Sequence, residues 1–176
     1  MIAKLLDSYC PTDSVEITQK TQMLQFLEEE KDCFSRQCEP GHFTASCWLV
    51  NKDFSKALLT HHRKLGHWFQ LGGHCDGDSD ILYVAIREAE EESGLSNIVP
   101  VTGEIFDIDI HEIPANHREK AHMHYDVRFL LQNQGSESFV VSPESNDLMW
   151  VTKDKSSLPI VNDTVRRLHA KWIAYS

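Results

Sequence analysis

Apolar residues change their spacing along the chain near residue 40. In the first 40 residues they recur at helical intervals, which predicts two helices, over Ile2–Ser8 and Val15–Cys33. The sequence Glu39-Pro40-Gly41 then interrupts this pattern, since proline and glycine end regular elements. We therefore expect residues 1–40 to form a helical N-terminal extension, which either docks on the following domain or contributes to a homodimer interface.

From residue 41 onwards the pattern is that of strands around one central helix. His42–Val50 is rich in aromatic and β-branched residues, and Ile81–Ser93 carries an apolar helical stripe that ends at Gly94. Further strands fit Lys56–His61, Trp68–Leu71, Ile98–Thr102, Glu104–Ile110, His124–Gln132 and Leu148–Val151, and a last helix fits Asp163–Ala174. This order predicts an α+β or three-layer α/β/α domain over residues 41–176.

The composition is that of an ordinary globular protein with a negative charge. Of its 176 residues, 41% are hydrophobic and 25% are charged, and the net charge is −10 at pH 7. This charge argues against a nucleic-acid-binding surface built on bulk positive charge. The five cysteines form no CxxC pair, the first residues are too polar for a signal peptide, and no apolar run approaches the roughly 18 residues of a membrane span. We therefore expect a cytoplasmic protein with reduced thiols and no membrane partner.

Four glutamates lie in the last turns of the central helix, in the sequence REAEEESGL (Arg87–Leu95). On a helix that turns about 100° per residue, Glu88, Glu91 and Glu92 share one face and Glu90 points away from it. Carboxylates are unfavourable at a helix C-terminus, which carries partial negative charge. Two interpretations fit: a solvated acidic face, or a site for a hard divalent cation such as Mg²⁺ or Mn²⁺, which prefers oxygen ligands.

The segment before this helix favours the cation site. In FQLGGHCDGDS, Gly72 and Gly73 directly follow a strand, where glycine lets the backbone approach a ligand closely. The stretch that ends at Leu95 resembles the Nudix box: Gly, five residues, Glu, seven residues, Arg-Glu, an aliphatic residue, any residue, Glu-Glu, any residue, Gly and an aliphatic residue. The positions that match it are Gly73, Arg87, Glu88, Ala89, Glu91, Glu92, Gly94 and Leu95.

One position departs from the Nudix pattern. Ser79 stands where the box has its first Glu, which in Nudix enzymes typically braces the box arginine. Asp78 and Asp80 flank this position and are candidates to brace Arg87 in its place. The departure leaves open a weakened Nudix module that binds a nucleotide or metabolite, beside an active enzyme; an isomerase on the same fold is a third alternative without specific support.

The resemblance implies a Nudix fold, with a mixed β-sheet between helices, and a small-molecule substrate. The implied reaction is attack by metal-activated water on a phosphoanhydride bond, in a nucleoside diphosphate linked to another moiety. The implied ligands of Mg²⁺ or Mn²⁺ are Glu88, Glu91 and Glu92, with the carbonyls of Gly72 and Gly73. Arg87 would orient the glutamates, and the implied catalytic residues are Arg87, Glu91 and Glu92. Glu144, in the loop sequence PESNDLMWV, is the candidate for a further catalytic glutamate.

A second polar pattern lies on the strand HMHYDVRFL. His122, His124, Asp126 and Arg128 alternate with apolar residues and therefore share one strand face. Three interpretations remain open: an ordinary polar face, a Zn²⁺ site without a third ligand at suitable spacing, or a wall of the cleft where His122, His124 and Arg128 meet substrate phosphate.

Other candidate phosphate contacts lie in loops. Arg63 lies shortly before the box, in HHRKLGHWFQ. The segment Asp109–His122 is predicted to be a polar loop of the kind that often determines specificity. Its candidates are His111, His117, Arg118 and Lys120.

Overall fold

A computed structural model describes residues 2–115 and 120–175, and within them it contains four α-helices and seven strands. The helices are α1 (Ile2–Ser8), α2 (Ser14–Glu29), α3 (Ile81–Ser93) and α4 (Asp163–Ala174), with a 3-10 turn at Lys155–Ser157. The strands are β1 (Gly41–Val50), β2 (Lys56–His62), β3 (Trp68–Phe69), β4 (Leu71–His74), β5 (Ile98–Ile113), β6 (His122–Asn133) and β7 (Ser145–Thr152). The α+β class predicted from the sequence is confirmed.

The strands form one sheet in the order β3-β2-β1-β6-β5, with β4 paired to β1 and β7 paired to β2. The chain divides into two compact units, and β1, β4, β5, β6 and α3 each run from one unit into the other. The first unit comprises Met1–Ser46, Gly73–Ala85 and Gly103–Phe129. The second unit comprises Cys47–Gly72, Ile86–Thr102 and Leu130–Ser176.

In the first unit, aromatic side chains join the N-terminal helices to the strands. Asp13 caps α2, because its Oδ1 accepts hydrogen bonds from the N–H groups of Val15 and Glu16. Further along α2, the Phe26 ring stacks on Tyr125 of β6 with 4.0 Å between centroids. The N-terminal helices therefore pack on strand residues of this unit, as the docking alternative requires, while the domain boundary at residue 40 stays a prediction.

In the second unit, β2 pairs antiparallel with β7, from Lys56 opposite Thr152 onwards. The indole rings of Trp48 and Trp172 are fully buried, with 6.0 Å between their centroids, and bring α4 onto β1. His169 of α4 adds a polar tie, since its Nε2 lies 2.8 Å from the carbonyl oxygen of Thr152. Among the described residues, no helix is long and apolar enough to cross a membrane.

Several predicted element boundaries were wrong, and the strand predicted over Trp68–Leu71 is two strands, β3 and β4. Helix α2 ends at Glu29 rather than Cys33, and the N–H of its C-cap residue Glu30 donates to the carbonyl of Phe26. Strand β5 is continuous through Gly103, whose φ is not positive and which therefore keeps the strand conformation. The polar loop predicted for Asp109–His122 is shorter, because β5 continues to Ile113.

Candidate active site

Helix α3 begins and ends at the predicted residues, and local signals account for both ends. At the start, Asp80 Oδ1 accepts a hydrogen bond from Tyr83 N–H at 3.2 Å, and Asp78 Oδ1 accepts one from Asp80 N–H at 2.9 Å. These bonds place the two aspartates that flank Ser79 at the helix start; their proposed bracing of Arg87 stays a prediction. At the end, Gly94 adopts a φ of 65°, the left-handed conformation that favours glycine.

Arg87 lies between two glutamates of the same helix. Its Nη2 donates to Glu88 Oε1 at 2.8 Å, and its Nε lies 3.9 Å from Glu91 Oε1. The Glu91 side chain is 65% exposed and that of Glu88 is 17% exposed, so the shorter ion pair is also the less exposed one. Arg87 can therefore orient Glu88 strongly and Glu91 weakly.

Glu92 differs from its neighbours because it is partly buried and hydrogen-bonded to another element. The N–H of Gly72, in β4, donates to Glu92 Oε2 at 3.1 Å. The pKa of Glu92 is raised to about 8: burial is the largest cause, the Gly72 N–H opposes it, and the negative charges of Glu88 and Glu144 add to the rise. Among the described residues, the charges that act on this carboxyl group are therefore those of other carboxylates.

Glu144, the candidate for a further catalytic glutamate, lies within electrostatic reach of Glu92, and its catalytic role stays a prediction. The negative charge of Glu144 raises the pKa of Glu92, although more than fifty positions separate the two residues in the sequence. Both residues belong to the second unit. The backbone carbonyl of Glu144 accepts a hydrogen bond from Arg63 N–H at 3.0 Å. The Arg63 side chain donates from Nη2 to the carbonyl of Ser145 at 3.3 Å. Arg63 is thus held beside the loop that carries Glu144.

Two predicted ligands are glycines of β4. Gly72 has a φ of 152°, which a side chain rarely adopts, so the sequence needs glycine at this point. Gly73 follows it in the same strand. For both glycines, the role of the carbonyl as a metal ligand stays a prediction.

Arg128 is a correction to the predicted substrate contacts. The sequence placed it on a cleft wall, but its side chain is 1% exposed and pairs with three carboxylates in the first unit. The N···O distances are 2.8 Å to Asp107, 3.2 Å to Asp109 and 2.7 Å to Asp126. A guanidinium held in this way is not available to a substrate phosphate.

The histidines of β6 meet two histidines that the sequence analysis did not connect with them. His122 Nε2 and His124 Nε2 lie 3.3 Å apart, and the ring of His124 also approaches those of His42 and His74. Burial and the neighbouring histidines hold the pKa of His124 well below its usual range, so its imidazole is neutral. His42 and His74 are distant in the sequence, and only the pairing of β4 with β1, and of β1 with β6, brings them here.

Of the remaining loop candidates, His111 and Lys120 lie among the described residues, and each lies beside a carboxylate. His111 lies in β5, with its Nδ1 3.0 Å from Asp109 Oδ2. Lys120 pairs with Glu39 at 3.0 Å on the surface. His117 and Arg118 lie outside the described residues.

In the Nudix class of hydrolases, which have an α+β fold, a glycine-containing strand precedes a helix that ends in glutamates. This chain has the same arrangement in β4 and α3. The sequence matches the NUDIX domain model over residues 40–174, and the chain belongs to this family. It is a hydrolase that acts on phosphoanhydride bonds, and divalent metals are typical of its family.

Known relatives agree with this assignment. A curated relative, a probable DHNTP pyrophosphohydrolase of Lactococcus lactis subsp. cremoris, is 28% identical over 119 residues, which are 66% of this chain and 70% of that protein. The solved structure of a C. elegans Ap4A hydrolase has 17% identity and a TM-score of 0.59, covering 76% of this chain and 96% of the other. The E. coli dihydroneopterin triphosphate pyrophosphohydrolase has 12% identity and a TM-score of 0.58 at the same coverage. At these identities the two structures show the shared Nudix fold alone.

Proposed function

We propose that this protein is a Mg²⁺- or Mn²⁺-dependent pyrophosphohydrolase for a nucleoside diphosphate linked to another moiety. The observation that carries the proposal is the environment of Glu92. Its carboxyl group is partly buried and its pKa is raised to about 8, with Glu88 and Glu144 as like-charged neighbours. A divalent cation bound here would lower the pKa of Glu92, since its positive charge stabilises the ionised carboxylate.

The chemistry of these side chains fits a hard cation. Carboxylate oxygens are the ligands that Mg²⁺ and Mn²⁺ prefer, and Glu88, Glu91 and Glu92 would hold the ion, with the carbonyl of Gly72 as a further ligand. The same role for Gly73 rests on the resemblance alone. When bound, the ion would lower the pKa of water and offset the charge that develops on the phosphoanhydride.

The other residues have roles that follow from their contacts. Arg87 orients Glu88 through the 2.8 Å ion pair. Glu144 lies within electrostatic reach of Glu92 and is proposed to accept a proton from the attacking water. Arg63 is held next to Glu144 by its own backbone and is proposed to contact a substrate phosphate, which a guanidinium binds in a bidentate manner.

The substrate class is proposed from chemistry that the relatives share. The names of the L. lactis and E. coli proteins indicate a pterin triphosphate, and that of the C. elegans protein a dinucleoside tetraphosphate. Both compounds join a heterocycle to a phosphoanhydride. A cytoplasmic location and a homodimer remain proposals from the sequence.

The test is a substrate panel with a matched pair of variants. The panel contains these two compounds and several nucleoside diphosphates linked to sugars, and phosphate or nucleotide release is measured with Mg²⁺, with Mn²⁺ and with a chelator. Glu92→Gln is expected to lower kcat/KM by at least about 100-fold, the upper end of what loss of an outer-shell partner costs. Glu90→Gln is the control, since Glu90 is an exposed glutamate of the same helix.

Equal activity of wild type and Glu92→Gln would refute the proposed mechanism. The alternative, a module that only binds its ligand, is suggested by Ser79. Calorimetric binding of a panel compound without turnover at saturating Mg²⁺ would support that alternative and exclude the enzyme.

A further inference from the structure

Three histidines of the first unit form a cluster that the proposed hydrolysis does not use. His42 lies in β1, His74 at the end of β4 and His124 in β6. One ring nitrogen from each lies within 4.8 Å of the other two. We call these residues the three-histidine cluster. His42 is 1% exposed, so the cluster has a closed inner side.

A fourth histidine is already oriented towards the cluster. His122 Nδ1 lies 2.8 Å from the carbonyl oxygen of Lys120, so Nδ1 carries the hydrogen and Nε2 has the lone pair. That Nε2 lies 3.3 Å from His124 Nε2. Histidines that bind metals commonly donate their second N–H to a backbone carbonyl in this way. With Zn–N bonds of about 2.0–2.1 Å, the nitrogens of a tetrahedral site are also about 3.3 Å apart.

The charges beside the cluster favour a cation. Asp109 Oδ2 lies 3.0 Å from His111 Nδ1, and the His111 ring centroid is 5.5 Å from that of His124. The Asp109 carboxylate also pairs with the guanidinium of Arg128, which contacts Asp107 and Asp126 as well. A carboxylate this close to the cluster stabilises positive charge nearby.

We propose that His42, His74 and His124 bind one divalent transition-metal ion of the Zn²⁺ type, and that His122 completes a shell of four nitrogens. Imidazole suits Zn²⁺, Ni²⁺, Cu²⁺ and Co²⁺, whereas Mg²⁺ prefers oxygen, so this site differs in ligand chemistry from the glutamates of α3. The nitrogens lie within 4.8 Å of one another, so the widest pair must close by up to about 1.5 Å to reach tetrahedral spacing, which side-chain rotation can provide.

A closed shell of this kind has a structural role. Four protein ligands leave no position for a water or a substrate, which is the arrangement of structural zinc sites. The ion would join β1, β4 and β6 within the first unit. The proposal does not rest on the proposed hydrolase function.

The experiment measures metal binding by tag-free protein that has been stripped with a chelator. Wild type is expected to bind one Zn²⁺ per chain, measured by elemental analysis, and one Co²⁺ with the strong visible absorption of a tetrahedral complex. Zn²⁺ should also raise the melting temperature, and excess Mg²⁺ should not displace it. The variants His74→Gln and His122→Gln are expected to bind Zn²⁺ about 10–100-fold more weakly or worse.

Two controls separate this site from other sources of binding. His67→Gln changes an exposed histidine outside the cluster, and it should bind Zn²⁺ as wild type does. Glu92→Gln should also keep full Zn²⁺ affinity, even where it loses hydrolysis. If His74→Gln does not fold by circular dichroism, His122→Gln decides, since its partly buried ring is the easier one to replace.

The proposal is overturned if folded wild type binds none of Zn²⁺, Co²⁺ and Ni²⁺ at one ion per chain. It is equally overturned if binding is unchanged in both cluster variants, because the ion would then lie elsewhere.

Discussion

The raised pKa of Glu92 makes the stability of the metal-free protein depend on pH in a defined way. Glu92 has a pKa of about 8 in the folded protein, against an ordinary value of 4.5, and burial is the largest cause. Between these two pH values the folded state therefore holds one proton that the unfolded state has released. The contribution of Glu92 to stability is greatest at low pH and is lost as the pH rises through the folded pKa. Replacement of Glu92 by Gln removes this dependence.

The expected effect is large enough to measure within a narrow window. Each pH unit in which the folded state holds the extra proton changes the free energy of unfolding by about 1.4 kcal/mol. From pH 6.5 to pH 8 this amounts to roughly 1–2 kcal/mol, since the proton is half released at the upper end. Below pH 6.5 the lowered pKa of His124 acts in the opposite direction, because the unfolded chain then takes up the proton first.

The assay is denaturant unfolding at pH 6.5 and at pH 8, with a chelator present. Wild type should lose roughly 1–2 kcal/mol more than Glu92→Gln across this interval. Glu90→Gln should behave as wild type, since Glu90 is exposed on the same helix. At pH 8, added Mg²⁺ should raise the free energy of unfolding of wild type more than that of Glu92→Gln, because binding to the folded state alone stabilises it.

Identical pH dependence in wild type and Glu92→Gln would refute the reasoning. Glu92 would then ionise as an ordinary surface carboxyl group, and its environment would give no physical reason for a cation. The metal site would depend on the sequence motif alone.

Three further changes test other parts of the structure. Glu144→Gln should lower kcat by about 100-fold or more with little change in KM, measured by steady-state kinetics, if Glu144 accepts a proton; an unchanged kcat would remove it from the mechanism. Gly94→Ala should destabilise the protein by about 1–3 kcal/mol in denaturant unfolding, because φ is 65° and the new Cβ would lie 2.8 Å from Cβ of Val140. Arg128→Leu should cost about 3–5 kcal/mol by the same assay, since it leaves buried carboxylates without their cation, and a loss below about 1 kcal/mol would contradict that.

Features with local causes could be predicted from the sequence. Helix α3 has the predicted bounds because an aspartate cap precedes it and a left-handed glycine follows it, and both signals lie within a few residues of the ends. Helical spacing predicts that Glu88, Glu91 and Glu92 share one face of the helix. Glu144 was a prediction from its position in a loop, and the fold places it within electrostatic reach of Glu92.

Features that depend on distant partners could not be predicted in this way. Arg128 alternates with apolar residues like any exposed strand residue, and only Asp107, Asp109 and Asp126 reveal that it is an interior cation. The alternation of polar residues on β6 was therefore recognised correctly, but the environment of that face was not. The spacing along a strand predicts which face of the sheet a side chain lies on, whereas its solvent exposure depends on what packs against that face.

The same limitation explains why two histidines on one strand were insufficient to predict a metal site. His122 and His124 offer two nitrogens, and a tetrahedral ion needs four ligands from positions that a single strand cannot supply. His42 and His74 provide the others only because β1 is a neighbour of both β4 and β6 in the sheet. In the proposed glutamate site the ligands would come mostly from one helix, so the motif is visible in the sequence. In the histidine site they come from three strands, so the physical evidence is the nitrogen spacing and the orientation of His122 by a backbone carbonyl.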